Sequence, residues 1–190
     1  EICACLVGSE MCIRDRCIGL NLSNRNRWVT RVATRFFYNI DDYDRAHHIL
    51  LKHPGIKTDP WLLAAELAVT SGAGIASRHL NNAKRALEYG YEAYHVAELQ
   101  SSIGSLELKS GAIKKAKKLF TESLNFPNGN VLAQAKWAEK KAKITELVSA
   151  KELDKQARAF EAKFLDSYLK QDMEMALEYG KKWIEEEPFN

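Results

Sequence analysis

The feature that most constrains the fold of this sequence is a recurring pair of amphipathic segments joined by a short turn. In the clearest pair, over residues 95–127, the apolar positions of the first segment are Val96, Leu99, Ile103, Leu106 and Leu108. Those of the second are Ile113, Ala116, Leu119, Phe120 and Leu124. Spacings of three and four residues mark one face of an α-helix. The intervening Ser110 and Gly111 therefore predict an antiparallel helix pair.

Three further pairs follow the same pattern. Over residues 157–188, a helix with Phe160 and Phe164 precedes a turn at 170–172 and a helix with Ala176. Asp59 and Pro60 predict the start of a helix over 61–70, followed by a loop at 71–74 and a helix over 77–89. Upstream, helices are predicted over 28–38 and 43–51 around a turn at 39–42.

Small residues recur at one position of the second helices. Ala46, Ala83 and Ala116 lie 37 and 33 residues apart, close to a repeat of about 34 residues. The step from Ala116 to Ala176 is 60 residues, which does not fit that period. A helix is predicted over 131–143, and Ser149 with Glu152 predicts a capping box. We therefore expect an irregular connection, including residues 144–156, between the third pair and the last.

These positions resemble those of the tetratricopeptide repeat family. The family's small residues match Gly104 and Ala116, its aromatic residue matches Phe120, and its closing proline matches Pro127. The last pair resembles the family through Ala176 and Pro188. With Ala46 and Ala83, the resemblance implies an all-α fold, an α-solenoid of stacked antiparallel helix pairs over residues 21–190, incomplete at its C-terminal end.

Residues 1–20 are interpreted as a segment that is not native to the domain. Residues 6–16 resemble translated sequencing-adapter read-through. All four cysteines fall in this segment, at Cys3, Cys5, Cys12 and Cys17, and no histidine lies near enough to complete a zinc site. The absence of cysteine from the remaining sequence favours a cytoplasmic protein.

Composition limits the classes of partner. Hydrophobic residues make up 46% of the chain and charged residues 28%, as in a globular protein. The sequence has no apolar run of about 18 residues, so no membrane span is expected. The net charge of +3 does not require a nucleic-acid partner.

Two groups of residues could carry chemistry or charge recognition. The histidines His47, His48 and His53 lie near several aspartates, but the acids fall at a predicted helix start, where they interact with the helix dipole. The sequence contains no catalytic or nucleotide-binding motif, so we expect no enzyme activity, no cofactor and no metal. Two lysine runs are interpreted as solvated helix faces: Lys114, Lys115, Lys117 and Lys118, and Lys136, Lys140, Lys141 and Lys143.

The resemblance implies a protein–protein interaction scaffold whose partner is a protein or peptide. An alternative is an accessory or regulatory repeat region of a larger signalling or enzymatic protein, and a further one is nucleic-acid binding through the lysine faces. Some family members hold a C-terminal carboxylate with basic residues on the first helices. The corresponding inward positions here do not form that clamp: Glu98, Ser101, Ser105, Arg158, Glu161 and Leu165.

Overall fold

The protein is all-helical in the part that the computed structural model describes, namely residues 18, 19, 23, 26–142 and 147–186. Ten helices lie in residues 26–142 and 147–186. They are α1 (Arg27–Asn39), α2 (Tyr43–Lys52), α3 (Pro60–Gly72), α4 (Leu80–Glu88), α5 (Ala93–Lys109), α6 (Ile113–Ser123), α7 (Gly129–Ala142), α8 (Ala150–Lys155), α9 (Phe160–Leu169) and α10 (Met173–Glu186). None of these helices is long and apolar enough to cross a membrane.

Side-chain caps fix the starts of several helices. The carboxylate of Asp59 accepts hydrogen bonds from the backbone N–H groups of Trp61 and Leu62, and Pro60 occupies the first helical position. Asn26 caps α1 in the same way. The capping box of Ser149 and Glu152 is confirmed at the start of α8. Each cap satisfies backbone donors that have no partner within the helix.

One turn recurs in three of the helix pairs. It contains a residue in the left-handed region: Asp41 (φ 60°), Gly111 (φ 85°) and Gln171 (φ 61°). In each turn the next N–H donates to a carbonyl five residues back, at 2.9 Å for Asp42, 2.9 Å for Ala112 and 3.0 Å for Asp172. This is the hydrogen-bond pattern of a Schellman motif. It folds α2, α6 and α10 back against the helix before each of them.

The helices pack in an alternating order. The odd-numbered helices form a series in which α1 contacts α3, α3 contacts α5, α5 contacts α7, and α7 contacts α9. Of the even-numbered helices, α2, α4 and α6 each pack against the two odd-numbered helices adjacent in sequence, whereas the extensive contacts of α10 are with α9. Within the described residues, the apolar core accordingly divides into three clusters along the chain.

Most of the residues that resemble conserved positions of the tetratricopeptide repeat lie inside these packed regions. Ala46, Ala83, Ala116, Phe120 and Ala176 are buried. Pro127 is half-buried after α6. Pro188 lies outside the described residues, as do residues 1–17 of the segment interpreted as non-native.

Gly104 allows α5 and α6 to approach closely. A Cβ atom at this position would lie 3.3 Å from Cε2 of Phe120. Phe120 is completely buried, so its ring has little room to move away.

Three predicted helices have a boundary that differs from the structure by two residues or more, and one of them, predicted over 131–143, begins at Gly129. The helix predicted over 61–70 continues to Gly72. Glycine fits at this position against α1, because a Cβ there would lie 2.7 Å from Cε2 of Tyr38. The helix predicted over 77–89 is shorter and spans Leu80–Glu88. The region after Pro127 is also more regular than expected, since α7 packs between α5 and α9 as another member of the odd-numbered series.

Candidate binding groove

A groove of about 570 Å³ runs across one face of the odd-numbered helices. Helices α1, α3, α5 and α7 each contribute several residues, and Glu161 comes from α9. We call this surface the helix groove. Its lining includes Trp28, Arg31, Arg35, Tyr38, Ala65, Ala68, Glu98, Ser105, Asn130, Gln134, Trp137, Lys141 and Glu161.

Small side chains at the centre of the helix groove create its depth. Ala65 and Ala68 lie on α3, and Ser102 and Ser105 lie on α5. Larger side chains flank them on α1 and α7, including Trp28 and Trp137. A series of helices with short side chains in the middle and long ones at the sides leaves a concave surface.

A hydrogen-bonded network joins three of the lining helices. Glu98, which is buried on α5, forms an ion pair with Arg31 of α1. Its other carboxylate oxygen accepts hydrogen bonds from the side-chain amides of Asn128, at 2.9 Å, and Asn130, at 3.1 Å. The guanidinium of Arg31 also lies 5.0 Å from the centre of the Trp61 ring. Because these groups satisfy one another, the network fixes the spacing of α1, α5 and α7.

Aromatic and cationic side chains lie at the α7 side of the helix groove. The indole N–H of Trp137 donates to Oε1 of Glu161 at 2.9 Å, which fixes the orientation of the ring. The Lys140 ammonium lies 5.0 Å from the ring centres of both Trp137 and Tyr168. The Trp137 ring, which lines the groove, is therefore held between Glu161 and Lys140.

A second cleft, of about 420 Å³, opens at the N-terminal ends of the same helices. Trp28, with 71% of its surface exposed, and Tyr94, with 51%, lie at this cleft. The Tyr94 ring meets Trp61 edge to face at 5.4 Å between ring centres. The cleft shares Trp28, Arg31, Glu98 and Asn130 with the helix groove, so the two form one continuous surface.

Half of the predicted inward positions face the groove. Glu98, Ser105 and Glu161 line it. Leu165 is buried, and Ser101 is buried with its hydroxyl 2.9 Å from that of Ser123. The Arg158 side chain is 86% exposed and lies 3.7 Å from Glu186.

Sequence reasoning missed the lining residues of α1 and α7. These include Arg31, Arg35, Gln134 and Trp137. The signal that could have found them is a second periodicity. Residues 130, 134, 137 and 141 are spaced by four, three and four, which marks one helix face.

The interpretation of the second lysine run as one solvated face is wrong for Lys136. This lysine is buried, with its ammonium 3.0 Å from Glu139 and 2.8 Å from Asp166. Burial lowers the pKa of Lys136, but the hydrogen bonds to Asp166 and Glu139 outweigh it, so the pKa is raised above its usual value. Lys136 therefore joins α7 to α9 inside the protein, whereas Lys140 and Lys141 are exposed.

Two of the histidines that lie near aspartates in the sequence, His47 and His53, make separate contacts in the structure. The side chain of His53 accepts a hydrogen bond from the N–H of Gly55 at 3.0 Å. Nε2 of His47 lies 3.4 Å from Oε1 of Glu66, a buried carboxylate that also accepts a hydrogen bond from Ser77. Among the residues that the structure describes, no group of three or more potential ligands is placed to hold a metal ion.

Comparisons with known proteins assign no family to the chain. No protein-family model matches it, and neither the curated proteins nor the solved structures contain a significant match.

Proposed function

We propose that the chain is a tetratricopeptide-like α-solenoid and that it binds a protein or peptide partner in the helix groove. The observation that carries this proposal is the lining of the groove by five alternate helices. A solenoid offers such an extended concave surface because each repeat adds one helix to the same face.

Two further observations support the solenoid. The same left-handed turn occurs at Asp41, Gly111 and Gln171. The core consists of successive clusters between neighbouring helices. Repeated local units with contacts mainly to their neighbours are typical of repeat proteins.

The lining chemistry supports a peptide partner. Trp28 and Trp137 provide flat apolar surfaces for side chains, while Asn130 and Gln134 provide amide groups. Amides can hydrogen-bond to the backbone of an extended segment, and aromatic residues supply much of the affinity at interfaces. We propose a binding module without catalytic activity, either alone or as an accessory region of a larger protein.

A peptide display library selected on the purified chain tests this function. Ala68 is an exposed residue of α3 at the centre of the groove, so Ala68→Gln adds bulk there without entering the core. Ala150→Gln, at an exposed position of α8 outside the groove, is the matched control. We expect selected peptides to bind Ala68→Gln at least about tenfold more weakly and to bind the control unchanged.

Two results would contradict the proposal. One is the failure of any peptide to be enriched. The other is binders for which Ala68→Gln and Ala150→Gln behave alike. A fluorescent single-stranded oligonucleotide, titrated at about 50 and about 200 mM salt, tests the nucleic-acid alternative, for which affinity should fall steeply with salt.

A further inference from the structure

Two lysines at the α7 side of the helix groove have no charged partner. Lys140 and Lys141 are exposed neighbours on α7. In residues 26–142 and 147–186, neither ammonium forms an ion pair. The Lys140 ammonium contacts the rings of Trp137 and Tyr168, and that of Lys141 lies 5.9 Å from the centre of the Trp137 ring. We call Lys140 and Lys141 the lysine pair.

The carboxylates of the two helices around the lysine pair are already engaged. Glu139 of α7 and Asp166 of α9 both pair with Lys136, at 3.0 and 2.8 Å. Glu161 of α9 accepts a hydrogen bond from the indole N–H of Trp137. Neither α7 nor α9 contains another carboxylate side chain. The positive charge of the lysine pair is therefore not compensated by the helix that carries it or by the helix beside it.

The charged side chains that line the helix groove have an excess of the same sign. Three are cationic and two are anionic: Arg31, Arg35, Lys141, Glu98 and Glu161. Both carboxylate oxygens of Glu98 accept hydrogen bonds from groups of the protein itself. Since Glu161 is held by Trp137, both acidic groups of the lining have donors inside the protein. The groove is therefore complementary to an anionic occupant.

We propose that the partner bound in the helix groove is an acidic peptide, in which an Asp or Glu side chain binds the lysine pair. This inference rests on the proposed function of the groove and adds the chemistry of its occupant. The rings of Trp137 and Tyr168 restrict the Lys140 side chain, so a carboxylate that binds there has less side-chain freedom to remove. The Trp137 ring lines the groove and offers an apolar surface to a neighbouring residue of the peptide.

The charges of the groove favour a peptide over a nucleic-acid strand. A nucleic-acid backbone carries a negative charge at every nucleotide, and the proteins that bind it neutralise several phosphates in succession. A strand crossing this groove would pass Glu98 and Glu161 as well as the cations. A peptide can place one or a few carboxylates at the lysine pair and uncharged residues elsewhere, so it avoids that repulsion.

Selection of a peptide display library on the full 190-residue chain tests the chemistry of the partner. We expect the enriched peptides to contain Asp or Glu well above the library frequency. In fluorescence anisotropy, the variant Lys140→Gln with Lys141→Gln should bind a selected peptide at least about tenfold more weakly. The matched control is Lys114→Gln with Lys117→Gln, which removes the same charge from exposed positions of α6 outside the groove. It should change the affinity by less than about twofold.

Replacement of the acidic residue in the selected peptide by its amide locates the contact. The amide peptide should bind the wild type at least about tenfold more weakly than the acidic peptide does. The variant Lys140→Gln with Lys141→Gln should bind the two peptides alike, because the opposing charge has already been removed. Both lysines are exposed, so the helical circular dichroism of this variant should equal that of the wild type.

The outcomes separate this inference from the proposed function. Enriched peptides that lack acidic residues, or an amide replacement that weakens binding to wild type and variant equally, would overturn the acidic partner. If Ala68→Gln still weakens those peptides, the groove remains a peptide site of different chemistry. The failure of any peptide to be enriched would contradict both proposals. An oligonucleotide that binds through the lysine pair would also overturn the acidic peptide, because these lysines would then contact phosphate.

Discussion

At the scale of single residues, the buried ion pairs of Lys136 determine how α7 is held against α9. Its ammonium contacts carboxylates on both helices and also lies 3.4 Å from the carbonyl of Val148. Lys136→Ala would leave Glu139 and Asp166 without their shared cation. We expect a loss of about 3 kcal/mol in the free energy of unfolding, measured by urea denaturation. Lys140→Ala, on the exposed side of the same helix, should change it by less than about 0.5 kcal/mol.

Asp166 makes the stability of this region depend on pH. Burial raises the pKa of Asp166, but hydrogen bonds from Lys136 and Lys170 outweigh it, so the pKa lies below the usual 3.8. Asp166 therefore has a lower pKa in the folded chain than in the unfolded chain. As pH falls from the higher of these two pKa values to the lower, the unfolded chain takes up a proton that the folded chain does not, and the stability from Asp166 is lost. In urea denaturation experiments from pH 6 downwards, the free energy of unfolding of the wild type should exceed that of Asp166→Asn, and this difference should shrink below about pH 4. A constant difference would contradict this assignment.

Gln171 occupies a backbone conformation that suits glycine. Its φ of 61° brings Cβ close to the backbone. Gln171→Gly should raise the free energy of unfolding by about 0.5 to 1 kcal/mol, measured by urea denaturation. Asp41→Gly should gain less, because it also removes the hydrogen bond that Asp41 accepts from the Tyr43 hydroxyl at 2.8 Å. A less stable Gln171→Gly would show that the turn carries no such strain.

At the scale of helices, the contact of Gly104 with Phe120 sets the distance between α5 and α6. Alanine usually favours a helix over glycine by about 1 kcal/mol. Here, however, its Cβ would meet a completely buried ring at 3.3 Å. We expect Gly104→Ala to lower the midpoint of thermal unfolding.

The double variant Gly104→Ala with Phe120→Leu identifies the cause. Leucine is smaller than phenylalanine, so the two changes together should destabilise less than the sum of the single changes. Additive effects would mean that the helices do not meet at these two residues.

The helices and their turns were largely predictable because their signals are local. Apolar spacing and the caps at Asp59 and Ser149 are properties of a few adjacent residues. The place of α7 was not predictable from the 34-residue period, because α8 is only six residues long and shortens that repeat. The end of α3 was missed because Ser71 and Gly72 have the composition of a loop, and the tyrosine rings that adjoin Gly72 come from other helices.

The helix groove was less predictable than the helices. Glu98, Ser105 and Glu161 could be assigned by analogy with repeat positions. The inward direction of Lys136 could not, because it depends on Asp166, which is 30 residues away in the sequence and adjacent only after α7 and α9 pack. Lysine is rarely buried, so composition alone favours a solvated position.

At the scale of the whole molecule, the proposed solenoid predicts that the two ends unfold separately. Helix α10 makes its extensive contacts with α9, and α2 makes its own with α1 and α3. In a chain of neighbouring units, damage to one end is transmitted only through successive interfaces. A compact domain with one core would instead lose all its structure in a single transition.

An acidic side chain at the small-residue position of the second helix, introduced in either the first or the last helix pair, tests this expectation. Ala46 and Ala176 are both buried, so Ala46→Asp and Ala176→Asp each place a carboxylate in a packed helix interface. By hydrogen exchange, Ala176→Asp should remove protection from α9 and α10 while leaving α1 to α3 protected. Ala46→Asp should do the reverse. If either variant removes protection throughout residues 27–142, the helices fold as one cooperative unit and the solenoid proposal fails.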